Sequence, residues 1–108
     1  MTAIDQIMAE KGLVLPDVVT GYIGAESLPI DPRANQLALH FPGTGEQLTL
    51  LQEDDAETVA RAVACARDSF QSGAWSQAST AARQGVFRRG AKLIREHAEE
   101  LALLECLC

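Results

Sequence analysis

The sequence is poor in aromatic and metal-ligating side chains. Of its 108 residues only 5% are aromatic, and two histidines and three cysteines are present. His40 and His97 lie far apart in the chain, and neither a second cysteine pair nor a histidine cluster accompanies Cys106 and Cys108. The spacing of these histidines and cysteines therefore does not provide the four ligands that zinc requires, and we predict no metal site.

The cysteines are odd in number, and no basic segment followed by an apolar run opens the chain. We therefore expect a cytoplasmic protein with free thiols. Cys65 falls next to the apolar face of a predicted helix, which favours a buried structural thiol. Because no base or cationic cluster accompanies Cys65, Cys106 or Cys108, we predict no nucleophile among them.

The sequence also lacks an excess of positive charge and a long apolar run. Its net charge is −6, which repels phosphate backbones and argues against a nucleic-acid partner. No apolar stretch is long enough to span a bilayer, so we expect no membrane association. The five bases that cluster near the C-terminal end are typical of a solvated helix face: Arg83, Arg88, Arg89, Lys92 and Arg95.

Glycine and proline punctuate the first half of the chain. The pattern predicts a helix over Ala3–Lys11 that Gly12 stops. Short apolar runs then predict strands over 18–23, 36–41 and 47–51. The second and third run are joined by Pro42–Gly45, which predicts a tight turn and hence a hairpin. A lone hairpin is barely stable in water, so we expect the following helices to cover it.

Two or three amphipathic helices are predicted in the second half. Asp54 and Glu57 have the spacing of a capping box, and Gly73 marks the end of this first helix. Ser79 or Thr80 begins a second helix, and Glu99 and Glu100 favour a third start. The apolar positions of these helices, at steps of three and four, are Val59, Val63, Ala66 and Phe70, then Val86, Phe87, Gly90, Ala91, Ile94 and Ala98, then Leu101, Leu104 and Cys106 or Leu107. Because the last of these surfaces has no visible cover, we expect self-association through it.

Two motifs have a functional and a structural interpretation. Gly43-Thr44-Gly45 lacks the strand, helix and acidic partner of a dinucleotide fingerprint, so a hairpin turn is favoured. Trp75 lies between two predicted helices, where packing over their junction is favoured over stacking on a ligand. We accordingly predict no catalytic, cofactor-binding or metal-binding residue in this chain.

Taken in order, several segments resemble the N-terminal region of the aldehyde dehydrogenase superfamily. The resemblance covers 21–108 and includes a hairpin turn with Pro42, Thr44, Gly45 and Glu46. The chain departs from the family at Ala25, where a second glycine is common, and at Phe41, where asparagine is usual. The other matching segments are 22–26, 53–59, the alanine-rich 62–67 with Phe70, Gly73-Ala74-Trp75-Ser76, Arg83, 93–94 and 99–105.

The resemblance implies an α+β fragment: a short β-hairpin packed with about three helices, the N-terminal part of a Rossmann-like cofactor domain. It divides the chain into an extension at 1–20 and an incomplete cofactor-binding domain at 21–108. In the full-length family, NAD or NADP accepts hydride from an aldehyde bound to a catalytic cysteine. Those catalytic groups lie beyond the matched region, so neither cofactor binding nor turnover is expected of this chain alone. The alternative is a non-catalytic helical interaction module or a truncated-gene product.

Overall fold

The computed structural model describes residues 2–108, which form four helices and a region of short strands between the first helix and the second. These elements confirm the predicted α+β class. The described residues form four helices, where about three were expected. The elements are α1 Ala3–Lys11, β1 Val18–Val19, β2 Tyr22–Ile23, β3 Glu26–Ser27, β4 Gln36–His40, β5 Gln47–Gln52, α2 Ala56–Gln71, α3 Thr80–Glu96 and α4 Ala98–Leu107.

Local hydrogen bonds set the bounds of the first helix as predicted. The Thr2 hydroxyl accepts a bond from the Asp5 N–H at 3.2 Å, and the Asp5 carboxylate accepts one from the Thr2 N–H at 2.8 Å. These two bonds satisfy N–H groups that a helix start otherwise leaves without partners. Gly12 ends α1 in the left-handed conformation, with φ of 65°.

The start of α2 corrects the predicted capping box by one residue. Asp55, not Asp54, is the cap, and its Oδ1 accepts a bond from the Thr58 N–H at 2.7 Å. Asp54 is engaged elsewhere, since a Cβ built on Gly21 would lie 2.6 Å from its Oδ2. The Asp54 side chain therefore fills the space that the missing side chain of Gly21 leaves open.

A three-stranded sheet in the order β1-β5-β4 carries the predicted hairpin. β4 and β5 run antiparallel, and the chain turns between them at Pro42–Gly45 as expected. β1 adds to the other edge of β5 in parallel, which pairs Val18 with Leu50. The Thr49 hydroxyl, on a side chain only 4% exposed, secures this edge by donating to the carbonyl of Pro16 at 2.5 Å.

The predicted strand over 18–23 is divided in the structure. The chain leaves the sheet after Val19, and Tyr22–Ile23 instead pairs with Glu26–Ser27 in a separate two-stranded hairpin. The Thr20 hydroxyl donates to the Leu28 carbonyl at 2.6 Å, and the Leu28 N–H donates to the Gly21 carbonyl at 2.8 Å. These bonds, between residues seven and eight positions apart, accompany the break in an apolar pattern that by itself resembles one strand.

Little apolar surface is buried. Among the described residues, the buried hydrophobic side chains are Ile4 and Leu107, which remain 6% and 5% exposed. Leu107 lies in the apolar C-terminal segment for which the sequence indicated no cover, so this surface is in part covered. The radius of gyration is 17.8 Å, whereas a compact domain of this length has about 13 Å. The chain thus forms its helices and strands but arranges them in an open rather than a compact structure.

Candidate functional site

The three thiols occupy separate environments. Cys65 is half-buried on α2, rather than buried as predicted, and a Cβ on Gly24 would lie 3.4 Å from its sulfur. Cys106 and Cys108 are exposed at the end of α4, and none of the three is in a disulfide. Cys65 packs against the turn of the β2–β3 hairpin, which is a structural role for its side chain.

The two histidines also remain apart. His97 forms the junction between α3 and α4, and its Nδ1 lies 3.2 Å from Oε2 of Glu100. His40 is exposed at the end of β4. Between residues 2 and 108, no three histidine, cysteine or acidic side chains lie close enough together to hold a metal ion.

The glycine-containing turn between β4 and β5 is closed on itself. The N–H groups of Thr44 and Gly45 both donate to the carbonyl of Phe41, at 3.3 and 2.8 Å. A phosphate-binding loop needs such N–H groups to point at the ligand, next to the start of a helix. This turn is followed by a strand and its donors are already engaged, so its geometry does not fit the dinucleotide of the resembling family.

An open cavity lies where the loop before β4 approaches the start of α2. It has a volume of about 480 Å³. Gln52 holds the loop from β5: its side-chain oxygen accepts from the Asp31 N–H at 2.8 Å, and its side-chain nitrogen donates to the Pro29 carbonyl at 3.2 Å. Acidic and basic side chains both line the opening, including Asp54, Asp55 and Arg61. The two Gln52 hydrogen bonds that shape this cavity therefore hold the loop against β5 within the same chain.

The loop around Trp75 positions an aromatic pair. Gly73 has φ of 73°, a value that favours glycine, and its N–H donates to the Phe70 carbonyl at 3.1 Å. The turn brings Trp75 against Phe87 of α3, with ring centroids 5.9 Å apart and planes inclined by 71°. Trp75 therefore packs against α3, on one side of the predicted helix junction, and its side chain stays 46% exposed.

Four of the five basic side chains of the predicted solvated face of α3 are exposed, and the fifth, Arg83, is half-buried. Arg88, Arg89, Lys92 and Arg95 are all exposed. Lys92 lies 3.5 Å from Glu96, its neighbour one turn along the helix. Exposed ion pairs of this kind contribute little to the free energy of folding.

α2 presents a feature that its amphipathic pattern alone did not identify. Thr58, Ala62 and Cys65 are its half-buried positions, whereas Val59, Val63 and Phe70 are exposed. The helix thus places its smaller side chains against its own chain and its larger apolar ones toward solvent. Periodicity identifies the apolar stripe, but it carries no information on which direction the stripe faces.

No helix among residues 2–108 has the length and apolar character that crossing a bilayer requires.

Comparison with known proteins identifies a family over most of this fold. The model of the aldehyde dehydrogenase family matches residues 30–108, which include β4, β5 and the three helices that follow. The mitochondrial aldehyde dehydrogenase family 2 member B4 of Arabidopsis thaliana is 45% identical over 64 residues, 59% of this chain and 12% of that protein. The aminoacetaldehyde dehydrogenase of Pseudomonas aeruginosa is 44% identical over 66 residues, 61% of this chain and 13% of that protein.

A betaine aldehyde dehydrogenase of Vibrio vulnificus is similar over a longer stretch. It is 35% identical over 89 residues, 82% of this chain and 18% of that protein. The chain thus spans between 12% and 18% of the length of these relatives. No solved structure gives a significant match.

Proposed function

Because this chain belongs to the aldehyde dehydrogenase family, we propose that it supplies scaffold to an enzyme that oxidises an aldehyde to a carboxylic acid with NAD or NADP. The observation that carries this proposal is the family match over residues 30–108, from the main hairpin to the last helix. We assign residues 1–20 to an extension and 21–108 to an incomplete cofactor-binding domain. An aldehyde is the substrate class that the names of the three relatives share.

The chain by itself is proposed to be inactive and to bind no dinucleotide. Aldehyde oxidation through a thioester needs a thiolate, a base and donors for the oxyanion, all brought to one place. Here Cys65 packs on a hairpin turn, while Cys106 and Cys108 are exposed. The Thr44 and Gly45 amides already donate to Phe41. These observations support a role in bracing a cofactor domain, with the reaction carried out by other residues.

A second candidate function is a non-catalytic interaction module that associates with further copies or with another protein. The exposed apolar side chains of α2 and α3 favour it, as does Leu101 of α4, which is 45% exposed. We propose a reducing compartment such as the cytoplasm, which the free state of all three cysteines supports. A nucleic-acid partner is not proposed, because the net charge of −6 opposes one.

An assay of nucleotide reduction tests the proposed inactivity. The purified chain is mixed with NAD or NADP and with aminoacetaldehyde or betaine aldehyde, and absorbance at the reduced nicotinamide band is followed. The Pseudomonas aeruginosa aminoacetaldehyde dehydrogenase serves as the active control. We expect no turnover above a blank. Turnover that disappears on changing Cys65, Cys106 or Cys108 to alanine would contradict the proposal.

The DNA that follows the Cys108 codon separates the two candidate functions. A reading frame that continues into further aldehyde dehydrogenase sequence supports the scaffold proposal. Unrelated sequence after a stop codon favours the interaction module. This observation is independent of whether the isolated chain behaves well in solution.

A further inference from the structure

The outward stripe of α2, formed by Val59, Val63, Ala66 and Phe70, lies on a helix that is otherwise in contact with its own chain. The helix places Thr58, Ala62 and Cys65 inward, about 100° around the axis from the outward stripe. Val59, Val63 and Phe70 remain 54%, 58% and 75% exposed. A helix of a globular protein ordinarily turns its largest apolar side chains to the core. In α2 these side chains instead face outward, and the rest of the chain between residues 2 and 108 leaves them mostly exposed.

The neighbouring helix α3 also exposes large apolar side chains, and it does not cover the outward stripe of α2. Phe87 and Ile94 of α3 are also mostly exposed, and α2 and α3 do not pack side by side. The structure measures 51 × 37 × 19 Å. Its smallest dimension leaves room for about two layers, since a helix with side chains is about 10–12 Å across. Another layer is needed to enclose both helices.

Family membership and the length of the relatives bear on what covers the outward stripe. All of α2 lies inside the family match at residues 30–108. More than four fifths of each of the three relatives lies outside the part that aligns with this chain. They consequently have a large body of polypeptide available to pack on the equivalent helix. A second copy of this chain is a poorer occupant, because each copy carries a net charge of −6 and the two would repel.

We infer that the outward stripe of α2 is the docking surface for the part of an aldehyde dehydrogenase polypeptide that lies beyond this chain's match. The inference rests on the proposed scaffold function and adds to it a surface and an occupant. It predicts that the docking is non-covalent and apolar, so that it can form between separate polypeptides. Apolar contacts of this kind weaken when a buried position gains an unpaired carboxylate.

The test pairs this chain with a truncated relative. The chosen partner is the Pseudomonas aeruginosa aminoacetaldehyde dehydrogenase without the N-terminal segment that aligns here, co-expressed with the full 108-residue chain. The stripe variant combines Val63→Glu and Phe70→Glu. Its matched control combines Ala64→Glu and Gln71→Glu, two exposed positions that are about 80° or more around the helix from the stripe and carry the same added charge. Circular dichroism of each free chain checks that α2 is retained.

We expect the wild type and the control variant to co-purify with the truncated relative in equal amounts, and the stripe variant to bind at least tenfold more weakly. Equal binding by the stripe variant would overturn the inference. So would failure of the wild type to bind, or self-association of the wild type that the stripe variant alone abolishes. Recovery of aldehyde oxidation in the complex is scored separately. Stripe-dependent binding without activity supports the docking surface and counts against the proposed function.

Discussion

Trp75 and Phe87 meet edge to face, with centroids 5.9 Å apart, and so join the loop after α2 to the second turn of α3. Trp75 is the single tryptophan of the chain. Its fluorescence consequently reports on this one contact. An edge-to-face pair places the positive rim of one ring against the negative face of the other, and such pairs contribute about 0.5–1.5 kcal/mol beyond the area they bury.

Replacing Phe87 by alanine is expected to expose Trp75. We predict a red shift of the tryptophan emission and a loss of about 1 kcal/mol in the free energy of unfolding measured by urea titration. Phe70→Ala is the matched control, because Phe70 is 75% exposed. An unchanged emission spectrum in Phe87→Ala, or an equal shift in Phe70→Ala, would show that the pair does not hold the loop.

Ala25 is expected to be strained in the turn of the β2–β3 hairpin. Its φ is 68°, and that of Gly24 is 62°, the pair of positive values that a tight hairpin turn requires. A left-handed conformation costs a residue with a Cβ about 1–2 kcal/mol. We predict that Ala25→Gly raises the free energy of unfolding by about 1 kcal/mol, measured by thermal denaturation.

Two controls separate this effect from a general effect of glycine. Ala60→Gly, on the exposed surface of α2, is expected to lower stability by about 1 kcal/mol, since glycine disfavours helix. Gly24→Ala is expected to lower stability as well, because its φ is also positive. A destabilised Ala25→Gly would refute the assignment of strain. The glycine that the resemblance leads us to expect at this position is the residue that adopts this φ without strain.

The Thr49 hydroxyl is expected to stabilise the edge between β1 and β5. It is nearly buried and donates to the Pro16 carbonyl at 2.5 Å. Thr49→Val keeps the shape and removes the donor, so we predict a loss of about 1–3 kcal/mol in urea denaturation. Thr49→Ser should retain most of the stability. Thr44→Val, at an exposed position, should change it little, and an equal loss there would argue against a specific role for the buried bond.

Asp55 is expected to make α2 sensitive to acid. The backbone N–H of Thr58 holds the pKa of the Asp55 carboxyl below its ordinary value of 3.8, with a further lowering from the Thr58 side chain. A carboxyl whose pKa is lower in the folded state stabilises that state above its unfolded pKa. This contribution is lost as pH falls through the folded pKa, so the relevant window lies below pH 3.8.

Asp55→Asn isolates this contribution, because asparagine also caps helices but does not titrate. We predict that its helical circular dichroism in urea depends less on pH between 7 and 2 than that of the wild type. Asp54→Asn is the control, since Asp54 does not cap α2. Equal pH dependence in Asp55→Asn and the wild type would contradict the prediction. The pKa of Asp5 is also lowered, chiefly by its hydrogen bond with the Thr2 backbone N–H. We therefore expect the start of α1 to remain sensitive to acid in Asp55→Asn.

The sequence by itself determined the local elements and the family. Gly12 and Gly73 mark helix ends, and Pro42–Gly45 marks the hairpin turn, because the φ values and short-range bonds that these positions need depend on neighbouring residues alone. The ordered motifs from the hairpin onward likewise indicated the aldehyde dehydrogenase resemblance that the family match at 30–108 supports.

Tertiary structure decided what depends on residues distant in the chain. The break between Val19 and Tyr22 accompanies bonds from Thr20 and Gly21 to Leu28, beyond the predicted strand, and the shift of the α2 cap accompanies the position of Asp54 beside Gly21. Tertiary structure also decides that the stripe of Val59, Val63 and Phe70 faces away from the rest of the chain. Helical periodicity fixes the angle between positions around one axis. Only the packing of the whole chain fixes how that axis is rotated relative to the rest.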